Sequence, residues 1–200
     1  MFPRNVSVVS FVLQLKPYNR YAAQKEHSEM LKWLNKNGCP YKGDRILTVA
    51  ASNDDFETFK WALENETTPF ARLAFFKSSA ARGNLEMVKL AIEKGLIPDE
   101  RCDSSLEAAN RGFLEFLKLA HQNGFPVREE VCAFGAMNYH LDVLKWATKE
   151  ANLPLREDVC MYAAKEGHLE LIQWAREAGC PWNHYTTTYK LVDYSNYSID

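Results

Sequence analysis

"EDVCMYAAKEGHLELIQWAREAGCPW", residues 157–182, holds a phrase that the chain writes several times. Residues 140–155 read "HLDVLKWATKEANLPL", residues 84–98 read "NLEMVKLAIEKGLIP", and residues 27–41 read "HSEMLKWLNKNGCPY". Taking the Trp as a ruler, Trp33, Trp61, Leu90, Leu119, Trp146 and Trp174 lie 28, 29, 29, 27 and 28 residues apart. An acid stands four residues before each: Glu29, Glu57, Glu86, Glu115, Asp142 and Glu170. A Lys, or in the last case Gln173, stands one residue before. Ten and eleven residues before comes a small pair: Ala22-Ala23, Ala50-Ala51, Ser79-Ala80, Ala108-Ala109, Gly135-Ala136 and Ala163-Ala164. A proline follows by seven or eight: Pro40, Pro69, Pro98, Pro126, Pro154 and Pro181. A period of this size is the mark of a repeat architecture.

Each landmark has a physical reason. The acid falls in a helical first turn, where the macrodipole favours negative charge. The Lys three residues on can pair with it, for about 0.2–0.5 kcal/mol. Apolar residues at the ruler, and two, three and five before it, predict a broad buried stripe. Gly38, Gly95, Gly124 and Gly179 follow the ruler by five, where a helix stops in the left-handed conformation; Asn65 and Asn152 fall within a residue of that place. The proline beyond prevents continuation. The small pair belongs to a preceding shorter helix and lets a neighbour approach closely, because interaxial distance depends on the side chains at the contact. One helix pair cannot bury both of its apolar faces, and stacked pairs bury each other's.

Composition narrows the function. The 200 residues are 46% hydrophobic and 25% charged, with a formal net charge of −2. That balance suits a folded domain and draws the molecule to neither nucleic acid nor an anionic membrane. No stretch offers the roughly 18–20 apolar residues of a membrane span. The opening "MFPRNVSVVSFVLQLKPYNR" lacks the uninterrupted apolar run and small-residue cleavage site of a signal peptide. The five cysteines, Cys39, Cys102, Cys132, Cys160 and Cys180, are odd in number and form no C-x-x-C pair. They read as small buried side chains in a reducing compartment, so the expected location is intracellular and cytoplasmic.

"SSAARGNLEMVKLAIEKGLIP" and "YAAKEGHLELIQWAREAGCPW" resemble ankyrin repeats, whose core runs A-A-x-x-G-H/N-L-E-x-V-K-x-L. The resemblance covers about residues 20–182, in a divergent dialect with Trp in the second helix and G-C-P-W/Y after it. Two departures stand out. The family's T-P-L-H at the start of the first helix is replaced by "DVCMY" or "EVCAF", and the period is 27–29 rather than about 33. The shortening falls in the connection, so projecting β-hairpin fingers are expected to be reduced or absent. The resemblance therefore implies one all-α domain over residues 1–200. Its architecture is a helical-repeat solenoid of about six short ankyrin-like helix-turn-helix units, with residues 1–20 as an N-terminal cap and 183–200 as a C-terminal half-cap.

Sharper chemistry finds little support. The Trp column (Trp33, Trp61, Trp146, Trp174) suits core packing better than a stacking platform for bases. His27, His140 and His168 share one register at the start of the second helix, but metal ligation needs three or four ligands converging at about 2 Å. Repeat-equivalent side chains are spaced by roughly 8–10 Å, so these histidines are expected to hydrogen-bond the helix start. The acid column is paired with its own lysines. There is no nucleophile elbow, phosphate loop, His-Glu zinc motif or dinucleotide fingerprint, so the sequence reads as non-enzymatic, with no cofactor and no metal.

In the ankyrin family the two residues after the small pair face the concave groove and touch partners. Here the resemblance assigns that role to Lys25, Ser52, Asn53, Arg82, Asn110, Arg111, Met137, Asn138, Lys165 and Glu166. The column is polar, mixed and mildly basic, while the core columns are monotonous. The function expected is non-enzymatic binding of another protein by a monomeric scaffold, with no membrane partner. Nucleic-acid binding through the basic column is the alternative, as is a structural spacer within a longer array.

Overall fold

The computed structural model describes residues 28–37, 43–65, 72–98 and 100–181. Among them are eleven helices and no strand. They are α1 (Ser28–Lys36), α2 (Gly43–Asn53), α3 (Phe56–Asn65), α4 (Arg72–Arg82), α5 (Leu85–Glu93), α6 (Ser104–Arg111), α7 (Leu114–Gln122), α8 (Glu130–Met137), α9 (Leu141–Lys149), α10 (Glu157–Lys165) and α11 (Leu169–Glu177). The expected caps, Lys25, His27 and Trp182 lie outside the described residues.

The chain divides into two compact units, Met1–Cys102 and Asp103–Asp200. In the first, α2 packs against α3 and α4 against α5; α2 also lies on α4, and α3 on α5. In the second, the pairs are α6/α7, α8/α9 and α10/α11; α6 lies on α8, α8 on α10, and α7 on α9. First helices thus stack on first helices and second on second, the packing of a helical repeat.

The small pair has the expected use. Ala50, Ala51, Ser79, Ala80, Ala108, Ala109, Gly135, Ala136 and Ala163 are all buried. A Cβ on Gly135 would stand 2.8 Å from the Leu144 side chain, so α8 and α9 touch there almost backbone to side chain.

The buried stripe of the second helices differs from expectation. The fully enclosed positions lie three before, two before and one after the ruler: Thr58, Phe59 and Ala62; Met87, Val88 and Ala91; Phe116, Leu117 and Ala120; Val143, Leu144 and Ala147; Leu171, Ile172 and Ala175. Of the Trp column only Trp146 is buried. Trp61 and Trp174 are half-buried, and Trp33 is 50% exposed. The reason is geometric: the ruler sits at the edge of the apolar stripe, where a long side chain lies across it rather than into it. The Ala that follows the ruler lies at the centre of the stripe.

Both helices of each pair end the same way. The first stops at a residue with positive φ seven before the ruler: Asp54 (61°), Gly83 (73°), Gly112 (74°), Tyr139 (60°) and Gly167 (75°). The next amide then reaches back to the small pair, as in Asn84 N to Ser79 O (3.0 Å), Phe113 N to Ala108 O (2.9 Å) and His168 N to Ala163 O (2.8 Å). The second helix stops at Gly95, Gly124, Asn152 or Gly179, all with positive φ. There Leu96 N, Phe125 N and Cys180 N return to Ala91, Ala120 and Ala175. These are Schellman closures, which satisfy carbonyls that the helix end orphans. Asn65 departs from expectation: it is the last residue of α3, and its side-chain amide donates to Trp61 O at 2.8 Å.

Candidate interaction surface

The residues expected to meet a partner are the last ones of the first helices and those just beyond, and their environments divide by unit. In the first unit, Ser52 Oγ donates to Thr48 O at 2.8 Å and lies partly buried, so it caps its own helix rather than facing outward. Asn53 is half-exposed and already bonded. Arg82, at the end of α4, is exposed and makes no hydrogen bond or ion pair with any described residue. Lys25 lies outside the described residues.

Arg82 borders a pocket of about 330 Å³ formed with Asp54, Phe56, Gly83, Asn84, Leu85, Glu86 and Met87. The two turns that line it are tied together by Asn84, whose Nδ2 donates to Ala51 O at 2.7 Å. Asn84 occupies the N-cap position of α5 yet makes no capping bond. By contrast, Asp55 in the same register caps α3, accepting from Thr58 N at 2.9 Å. The pocket therefore carries one guanidinium, two carboxylates (Asp54 and Glu86) and an apolar wall.

In the second unit the same column is knitted across repeats. Asn138 Nδ2 donates to Asn110 Oδ1 and to Phe134 O, both at 3.0 Å. Arg111 is exposed but paired with Glu107 on its own helix, Nε to Oε1 3.3 Å. Met137 is half-buried, while Lys165 and Glu166 are exposed and unpaired among the described residues. Asn110, Met137 and Asn138 thus come together along the turns of successive pairs.

The histidines do not cap their own helices, contrary to the sequence expectation. His140 Nε2 reaches Asn110 O at 3.3 Å, and His168 Nε2 reaches Met137 O at 3.1 Å. Each ring satisfies a carbonyl at the C-terminal end of the preceding first helix, where the helix dipole favours a donor. Asn84 does the same in the first unit. A Cβ on Gly112 would fall 2.5 Å from His140 Nδ1, so glycine leaves room for that ring. Next door, Tyr139 lies 5.0 Å from His168 ring to ring, and its hydroxyl donates to the Glu170 carboxylate. That hydrogen bond to Glu170 pushes the phenol above its usual range.

A further register was open to sequence reading and was not singled out. Arg72, Arg101, Arg128 and Arg156 all stand eighteen before the ruler. Arg128 pairs with Asp103 at 2.8 Å, and Arg156 with Glu129. Each reaches an acid one repeat earlier. The expected pairing of acid and Lys within the second helix occurs for Glu29–Lys32 and Glu115–Lys118, both at 2.9 Å. Lys60, Lys89 and Lys145 make no such pair among the described residues. Long exposed side chains gain too little from an ion pair to be held by it.

Cys102, Cys132, Cys160 and Cys180 are buried and free. Among the described residues no group of three or more His, Cys, Asp or Glu is arranged to hold a metal ion, and no helix is long and apolar enough to cross a membrane. No protein-family model matches the chain, and no curated protein matches it significantly.

Proposed function

We propose that this chain is a divergent ankyrin-like solenoid that binds another protein non-covalently, through the ends of its first helices and the turns that follow. The supporting observation is the contrast between scaffold and surface at these turns. The backbone is held by Schellman closures and by the Asn84, His140 and His168 bonds between repeats. The side chains it presents, Arg82, Asn138, Lys165 and Glu166 among them, are exposed and differ from repeat to repeat. A rigid framework carrying variable polar groups loses little entropy on binding. Arg82 is the first choice of contact, because an exposed guanidinium beside a pocket can meet a partner carboxylate without breaking a pair with any described residue. Arg111, Asn110 and Asn138 would first have to give up bonds within the unit.

Affinity enrichment from the source cell's lysate, read by mass spectrometry, tests this reading. A protein retained by the native chain and lost with Arg82→Glu, while Arg111→Glu retains more of it, supports the surface. Both variants are first checked by circular dichroism. Equal retention by all three chains moves binding to another face. Retention of nucleic acid alone, lost between 50 and 200 mM salt, would replace the reading with electrostatic nucleic-acid binding.

A further inference from the structure

We propose that the pocket beside Arg82 receives an arginine side chain of the protein partner, held by Asp54, Glu86 and Asn84, while Arg82 takes a carboxylate next to that arginine. The inference rests on the protein-binding reading above and adds the chemistry that the partner must present.

The pocket lies within the first unit, where the turn after α2 meets the end of α4 and the start of α5. Its volume of about 330 Å³ is at the lower end of the roughly 300–1,000 Å³ of ligand sites, enough for one long side chain and the peptide beside it. Asp54, Arg82 and Glu86 line it and are exposed, and none makes a hydrogen bond or ion pair with any described residue. Their counterparts one repeat on are engaged: Arg111 pairs with Glu107 at 3.3 Å, and Glu115 with Lys118 at 2.9 Å. Where Asp54 stands, three other repeats have Gly83, Gly112 and Gly167. A carboxylate is thus placed at the pocket at φ 61°, in a region that suits glycine and disfavours side chains.

The fourth group is an oxygen. Asn84 is 8% exposed, and its Nδ2 donates to Ala51 O at 2.7 Å, which fixes the carboxamide because a carbonyl can only accept. Its Oδ1 accepts no hydrogen bond from any described residue. An open acceptor on a nearly buried residue that lines a pocket calls for a donor entering that pocket.

Three acceptors and one cationic donor set the ligand. Two carboxylates against one guanidinium leave a surplus of negative charge, so the entering group is a cation. A guanidinium carries five N–H donors in one plane and can serve two carboxylates and an amide oxygen together, whereas an ammonium acts as a point charge. The aliphatic stem lies along Phe56 and Leu85, both half-buried, and the charged head stays among the polar groups. A neighbouring carboxylate on the partner then meets Arg82 in a charge-assisted bond.

The test titrates two blocked tetrapeptides, acetyl-Gly-Arg-Asp-Gly-amide and acetyl-Gly-Asp-Arg-Gly-amide, into the whole isotope-labelled chain, followed by amide chemical shifts in NMR. The better of the two should saturate with a Kd of about 1 mM or tighter, with the largest shifts between Gly83 and Met87. Norleucine in place of the peptide's Arg should weaken binding about tenfold, and Asn in place of its Asp about three- to fivefold. Asp54→Asn and Glu86→Gln should each cost about three- to fivefold with the Arg peptide and nothing with the norleucine one. Arg82→Gln should cost affinity only where the peptide carries Asp. Asn tolerates the left-handed turn and the three side chains are exposed, and the peptide panel on the native chain decides even without the variants. Equal binding of the Arg and norleucine peptides, no saturation by about 10 mM, or shifts away from the pocket overturn the inference. Capture of a lysate protein that is still lost with Arg82→Glu would, in that case, leave the binding surface standing and remove only its arginine anchor.

Discussion

Replacing Asn84 by Ala measures what one inter-repeat bond contributes. Asn84 is 8% exposed, and its Nδ2 lies 2.7 Å from the carbonyl of the fully buried Ala51. Its side chain makes no cap bond to α5, and its backbone (φ −73°, ψ 72°) strains no residue type. Truncation therefore removes the tie to α2 and a weak 3.6 Å contact with Met87 Sδ, without uncapping a helix. Losing a buried donor to a carbonyl costs about 1–2 kcal/mol. With a urea slope of about 2 kcal/mol/M, the midpoint should fall by about 0.5–1 M. Urea unfolding followed by far-ultraviolet circular dichroism reads this directly. Asn84→His is the companion variant, since His140 and His168 in the same register reach a carbonyl of the preceding first helix. It should recover at least half of the loss, using the carbonyl one residue further on. If Asn84→Ala shifts the midpoint by less than about 0.2 M, water replaces the donor and the inter-repeat bond has no weight. If His is as damaging as Ala, the shared register has no shared purpose.

Three further outcomes follow from the same geometry. Asp54 holds the left-handed turn that glycine holds at Gly83, Gly112 and Gly167, so Asp54→Gly should stabilise the first unit by up to about 1 kcal/mol in the same urea assay. No gain, or a loss, would mean that the aspartate side chain offsets its own strain. Ser79 Oγ is buried without a hydrogen-bond partner at a position where Ala50, Ala108 and Ala163 stand in other repeats. Ser79→Ala should therefore raise stability by about 1 kcal/mol, and a midpoint at or below that of the native chain would contradict this. Burial pushes the Cys132 thiol up to about 12, above an unfolded value of about 8.5. The unfolded chain then releases this proton first as pH rises. The stability linked to Cys132 is complete below about pH 8.5 and is lost toward pH 12, by up to about 1.4 kcal/mol per unit. Cys132→Ala should flatten that alkaline decline relative to the native chain, and an unchanged slope would refute it.

Much of the helical-repeat packing was legible from spacing alone. Helix order, glycine stops and the buried small pair each depend on residues close in sequence, and the same local requirement is repeated at every unit. The Trp column shows the limit, with Trp146 buried, Trp61 and Trp174 half-buried and Trp33 exposed. Helical periodicity says which residues share a stripe, but its centre depends on how deeply the neighbouring helix sits. The Ala that follows the ruler in five of the six repeats (Ala62, Ala91, Ala120, Ala147, Ala175; Leu34 in the first) would have marked that centre. The arginine register was equally readable, since Arg128 and Arg156 differ from their surroundings only by recurring in step.

The candidate surface was less legible. Ser52, Arg82, Arg111 and Asn138 look alike by position, yet one folds onto its own helix, one makes no pair among the described residues, one is paired and one bridges two repeats. Position in the repeat does not separate them: Ser52 and Arg111 find partners four residues back on their own helices, whereas Asn138 reaches Asn110, 28 residues away.

By itself the sequence determined the period, the helical character and the places where helices stop, because these follow from local backbone preference and from side chains within one or two turns. Only the tertiary structure decided that His140, His168 and Asn84 bind the repeat before them rather than their own helix. It also decided that the Cys180 thiol reaches Arg156 O at the start of the preceding helix and that Arg82 stands without a partner among the described residues. Those facts are distances between atoms remote in the chain, and they exist only once the helices have packed.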